Sequence, residues 1–340
     1  MWKKYVKWVG KVLGAGITAF LILTLFATFY YNPPIHVKGS SAATSYVREP
    51  GSFWARATEG FAMGKIDEQG YNNSFNTDYS NIDVLMMGSS QTEGLYVNDN
   101  QCVSYLLNQK FASDGSDRAV YNIGMSAHTF YRNVQNMTAA LDTYKPASYI
   151  AIETSVLSCN PEEVNQALTA AMPELTTYQG NALVMELQKM PYIKLLYQQY
   201  KNYSSQNTAG VDDTAGSVSA EGMNDYNTQM TNQILNYIAT TASDYDCEAM
   251  IYFIPEVAIS DDGSLVFSAD DVLRGQYSEL CRQNGLLFVD MTERIAEKYK
   301  SEGILASGFS NTTIGYGHLN VDGHRMLADA IYETIKEEEK

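Results

Sequence analysis

Short apolar runs recur along the chain at Ile82–Met87, Ala119–Ile123, Ser148–Ile152, Met250–Ile254 and Leu286–Val289. Their length and richness predict parallel strands buried on both faces. Between them the period changes to that of helices. Val103, Leu106, Leu107 and Phe111 fall on one helical face, and helical spacing returns over 133–144, 161–201, 224–241, 270–283 and 321–337. Strands that alternate with helices predict an α/β fold, a parallel sheet covered on both sides. Residues 202–222 are rich in Ser, Gly, Asp and Thr with almost no large aliphatics, and read as a mobile loop within a helical and loop insertion at about 156–225.

The first forty residues follow a different pattern. Lys3, Lys4, Lys7 and Lys11 precede an uncharged run from Val12 to Tyr31, which stops at Asn32-Pro33-Pro34. About twenty residues at helical rise cross the hydrocarbon layer of a bilayer. The lysines place the N-terminal tail (1–11) in the cytoplasm and everything after Pro34 outside, so the run reads as a single-pass signal anchor in the cell membrane. A cleaved signal peptide fits less well, because Ala27-Thr-Phe-Tyr-Tyr-Asn is bulky for a cleavage site. A buried core helix would not call for the basic flank. Residues 32–80, rich in Gly, Ser, Asn and Tyr, read as a stalk and an irregular approach to a domain at 81–337.

Net charge is −16, from 39 acidic against 23 basic residues, which argues against nucleic acid as a partner. Cys102, Cys159, Cys247 and Cys281 are scattered without a C-x-x-C pair, so no zinc site is expected, and no cofactor is implied.

Candidate chemistry sits at the ends of the apolar runs. The first ends in Gly88-Ser-Ser90, the second in Asn122-Ile-Gly124 and the third in Glu153-Thr-Ser155. The carboxyl edge of a parallel sheet is where open α/β folds place their ligands. Ser90 there is either a nucleophile or, with Ser89, only a cap for the next helix. Of four histidines, His36 lies near the stalk, and His128 and His324 fall in or beside predicted helices. His318 stands in a Gly-rich loop before the last helix and is the candidate base.

These blocks resemble those of the SGNH/GDSL hydrolases. Gly88-Ser-Ser90-Gln-Thr-Glu-Gly94 is similar to that family's Gly-Asp-Ser-x-Thr-x-Gly, Asn122-Ile-Gly124 to its second block, and His318-Leu-Asn320-x-x-Gly323 to the block carrying its histidine. The resemblance runs from about Asp83 to Ile335. It implies a flavodoxin-like α/β/α sandwich with a five-stranded parallel sheet, Ser90 as nucleophile, His318 as base, and an oxyanion hole from the N–H groups of Ser90 and Gly124. Two positions depart from the pattern. No Asn stands in the third block, which leaves Thr154, Ser155 or Asn160 as the remaining donor. Gly315 occupies the place of the orienting acid, three before His318, which leaves a Ser–His dyad or another acid such as Asp290.

The expected function is that of an extracytoplasmic O-acyl esterase or O-acyltransferase acting on cell-envelope polysaccharide through an acyl-serine. The alternative is an envelope binding or assembly protein that keeps the fold without the catalysis.

Overall fold

The computed structural model describes residues 1–38, 46–73, 81–169, 186–187, 189–206 and 222–340. Its centre is a five-stranded sheet made of β5 (Ile82–Met87), β6 (Ala119–Asn122), β7 (Tyr149–Thr154), β8 (Glu248–Phe253) and β11 (Leu287–Asp290). Every pairing is parallel and the order is β11-β8-β7-β5-β6. The chain leaves β5 to form β6 on one side, then returns to form β7 on the other. The strand order therefore reverses at β5, which opens a crevice at its carboxyl end.

Two apolar layers cover the sheet. Leu85, Met87, Ile150 and Ile152 face α4 (Phe130–Tyr144), α5 (Pro161–Thr169), α7 (Asp225–Asp244) and α8 (Asp271–Gln283). Val84, Met86, Ala151 and Met250 face α3 (Val103–Ser113), α9 (Thr292–Glu302) and α10 (Val321–Glu338). Adjacent strand residues point to opposite layers, which is why Val84–Met87 and Ile150–Ile152 are continuously apolar, while Asp83, Asn122, Glu153 and Asp290 fall at or next to the strand ends.

The five expected strands and the helices expected over 133–144, 224–241, 270–283 and 321–337 are present within a few residues of their expected ends. Of the helical stretch expected over 161–201, α5 and a helix beginning at Pro191 are present, and residues 170–185 and 188 lie outside those described. Helix α9 and the antiparallel pair β9 (Val257–Ile259) and β10 (Leu265–Phe267) were not foreseen. Of the loop expected at 202–222, residues 202–206 belong to α6 (Pro191–Gln206), and residues 207–221 lie outside those described.

Helix α1 spans Trp2–Tyr30, and it is long and apolar enough to cross a membrane. The described residues of the segment after it, 32–38 and 46–73, carry two strand pairs rather than an irregular stalk. Strands β1 (His36–Lys38) and β2 (Tyr46–Arg48) pair, as do β3 (Phe53–Arg56) and β4 (Ala62–Lys65). Trp54, Ala62 and Ile66 bury themselves with Leu95, which follows the short helix α2 (Ser90–Glu93). Asn32 exchanges backbone hydrogen bonds with Ala55, and Arg48 donates to the carbonyl of Pro34. The end of α1 is thereby clipped onto the domain.

Candidate active site

Ser89 and Ser90 divide the two roles open to them. Ser89 is the N-cap of α2, its Oγ accepting from the N–H of Gln91 at 3.2 Å. Ser90 is left free to turn its hydroxyl outward, where it lies 2.8 Å from Nε2 of His318. Gly88 permits the sharp exit from β5, since a Cβ there would sit 2.0 Å from Oγ1 of Thr92 and 2.4 Å from Oε2 of Glu153. Glu153, buried at the end of β7, accepts hydrogen bonds from the backbone N–H groups of Ser89 (2.9 Å) and Thr92 (3.1 Å), and from both their hydroxyls. One carboxylate therefore fixes the turn that presents Ser90.

The acid that meets His318 is Glu59, from the segment between β3 and β4. Its Oε2 lies 2.7 Å from Nδ1 of His318 and accepts the His318 backbone N–H at 3.2 Å. Burial alone raises the Glu59 pKa, but the hydrogen bonds from His318 and the charges of His318 and Arg56 hold it below the usual carboxylate range. An ionised carboxylate only accepts, so Nδ1 carries the imidazole proton and the lone pair of Nε2 faces Ser90. That is the tautomer a general base requires. Asn311 ties the two loops together: its Oδ1 accepts from Gly60 N–H at 2.6 Å, and its Nδ2 donates to the carbonyl of Ala57 at 3.2 Å. Gly317, at φ +104, keeps the backbone clear of Glu59, whose carboxylate a Cβ would meet at 3.3 Å.

Asp290, the acid considered from sequence, is elsewhere. It accepts from Arg274 Nη1 at 2.6 Å and from the N–H of Thr292 at 2.9 Å. The nine-tenths-buried Arg274 of α8 needs that charge, so Asp290 serves an ion pair and the start of α9. Sequence reading missed Glu59 because it sits in a Gly- and Ser-containing stretch with no periodicity, outside every block of the resemblance.

The residues expected as oxyanion donors do not all face the cavity. Ser90 N–H, the first of α2, has no intrahelical acceptor and borders the cavity. Gly124 packs tightly on α2, but its N–H donates to Oδ1 of Asn122 at 2.8 Å. Thr154 closes its own turn with Val156, and Asn160 caps α5 while its N–H binds the Tyr131 hydroxyl. Of the three side-chain candidates, Ser155 is the one that lines the cavity with Ser90 and His318. That cavity encloses about 370 Å³, with Ile254, Pro255 and Val257 on its apolar side.

Gln91 braces the base from below, its Oε1 accepting the Leu319 N–H at 2.7 Å. His324 is buried in α10, where Nδ1 accepts the first N–H of α3, from Val103, at 3.2 Å. Its burial pushes the pKa down to about 3, so it stays neutral and structural. Among the described residues no cluster of His, Cys, Asp and Glu could hold a metal ion.

The class this fold and site define is an α/β/α protein with a Ser–His–Glu constellation at the switch point of its sheet. No family model matches the chain, and no curated protein does. Solved structures similar to it include SGNH/GDSL-type enzymes, each aligned over 75% of this chain. They include TesA (15% identity, 98% of that chain, TM-score 0.41) and the psychrotrophic esterase EstA from Pseudoalteromonas sp. (13%, 96%, 0.40). A member of the lipolytic G-D-S-L family from Veillonella parvula is another (13%, 98%, 0.37).

Proposed function

We propose that this protein is a serine O-acyl esterase or O-acyltransferase that acts outside the cytoplasm on acyl esters of cell-envelope polysaccharide. The observation that carries the reading is the continuous hydrogen-bonded line Ser90–His318–Glu59 at the mouth of a cavity. Ser90 Oγ gives its proton to Nε2 as it attacks the ester carbonyl, and the oxyanion forms beside the N–H of Ser90 and the side chain of Ser155. His318 returns the proton to the departing alcohol. Water or a sugar hydroxyl then takes the acyl group from Ser90. The lysines at the start of α1, ahead of its uncharged run, support an anchor with the domain outside, and protease added to intact spheroplasts should then digest the domain while a tag before Met1 survives.

A fluorophosphonate probe tests the chemistry on the full chain. Labelling that disappears in Ser90→Ala supports the reading, and equal labelling of parent and variant overturns it. The non-catalytic alternative has one observation in its favour, the engagement of Gly124 N–H by Asn122; a Ser90 inert to the probe would establish it. Release of acid compared with transfer to an added oligosaccharide separates esterase from transferase.

A further inference from the structure

Hydrogen bonds at Nδ1 and Nε2 both act in the plane of an imidazole. They resist sliding of the ring but hardly its swing out of plane. In this site a second ring supplies that restraint. Tyr96, on the loop after α2, lies parallel to His318 with centroids 3.6 Å apart and planes 16° from each other. Tyr96 is itself held by Arg56, the last residue of β3. The guanidinium carbon lies 4.2 Å from the Tyr96 centroid, and Nη2 donates to the phenol oxygen at 2.8 Å. Burial raises the phenol pKa, which keeps the ring neutral.

Resting on the reading of Ser90 and His318 as a working pair, we propose that Tyr96 is a positioning residue for the acyl transfer. It holds the imidazole plane between Ser90 and Glu59 and stabilises the imidazolium against its π-face. The proton of Ser90 Oγ passes to Nε2 as the bond from Oγ to the carbonyl carbon forms, and the carbonyl π pair moves onto oxygen. His318 is then a cation until it protonates the leaving alkoxide as the carbon–oxygen bond breaks. Other charged or titratable groups around it are accounted for. Glu59 is bonded to Nδ1, Arg56 is engaged with Tyr96, His324 on α10 is neutral, and Glu153 and Glu256 border the same cavity.

The experiment compares Tyr96→Leu and Tyr96→Phe in the full-length protein. Loss of a stacked cation–π contact should lower kcat about tenfold, leave KM within about twofold, and move the acid limb of the kcat profile about one pH unit lower. Tyr96→Phe, which retains the ring, should recover most of that loss. An unchanged kcat and acid limb in Tyr96→Leu, or equal losses in both variants, would overturn the proposal. A second measurement needs neither variant. In the unaltered protein the His318 Hε1 resonance, assigned by its loss in His318→Gln, should be shifted upfield by the Tyr96 ring current, and a normal position also overturns the proposal. Titration of that resonance in Tyr96→Leu reads the stack without turnover, so an inert Ser90 with a displaced His318 midpoint would sink the hydrolase reading and leave the ring contact standing.

Discussion

Glu59 and Ser90 meet through opposite nitrogens of one imidazole, at 2.7 Å and 2.8 Å. Because the Glu59 carboxylate fixes the tautomer, Glu59→Gln should lower kcat by roughly 10²- to 10⁴-fold with little change in KM. Hydrolysis of p-nitrophenyl acetate by the two proteins measures this, and parental turnover in the variant would show that the pair acts as a dyad.

Groups that act as a unit are not additive. Ser90→Ala, His318→Ala and the double variant should each fall to the same residual rate, within about threefold. A further large drop in the double variant would mean that Ser90 and His318 work in different steps.

Glu153 meets four donors of the nucleophile turn and is buried. Glu153→Ala should leave those donors unpaired, at about 1–3 kcal/mol for each that water cannot reach. A lower thermal midpoint together with loss of probe labelling at Ser90 is the expected result. Full labelling would mean that α2 holds its conformation without the carboxylate.

Acid should unfold the protein through its buried histidines. Burial lowers the pKa of His128 to about 4 and of His324 to about 3. Above the unfolded value near 6.5 neither state binds the proton and stability is full. Below it the unfolded chain takes up protons that the folded chain refuses, so stability falls by about 1 kcal/mol per histidine per pH unit until roughly pH 4 and 3. The thermal midpoint should drop steadily from pH 6.5 to 4.5, and less steeply in His324→Gln. Equal slopes would show that His324 is not protonated on unfolding. The same variant should keep its probe labelling, because the ring serves α3 and not Ser90.

Arg48 and Glu93 form a buried ion pair at 2.6 Å, and Glu93 also accepts from the N–H of Ser126 at 2.9 Å. Removing one partner strands the other charge in the interior, so Arg48→Ala should cost about 3–5 kcal/mol. Denaturant unfolding of Arg48→Ala and of Arg48→Ala with Glu93→Gln should show partial recovery in the double variant. No recovery would mean that the arginine acts mainly through its bond to Pro34.

What the sequence made legible was what is local. Val84–Met87 and Ile150–Ile152 announce a buried sheet because successive side chains there join opposite apolar layers. Ser90 and His318 were readable because each sits in a short block whose neighbours, Gly88 and Asn320, have fixed backbone duties. Glu59 was not, because its only relation to His318 is tertiary, made by the packing of Trp54 and Ile66 on Leu95 and by the Asn311 clamp. The engagement of the Gly124 N–H was not legible either, because it is made by the side chain of Asn122, two residues away, whose orientation only the packed structure sets. Helix α9 escaped notice because half of its surface is charged and only Thr292 and Ile295 are buried.

The clip between Asn32 and Ala55, with Arg48 bound to Pro34, ties the end of α1 directly to the strands beside the cavity. A flexible tether would let the serine sweep a volume that grows with linker length. This joint instead sets one height and one bearing for the cavity relative to the α1 axis. Lengthening the join at Pro33-Pro34 would change what the cavity can reach without altering a single group that lines it.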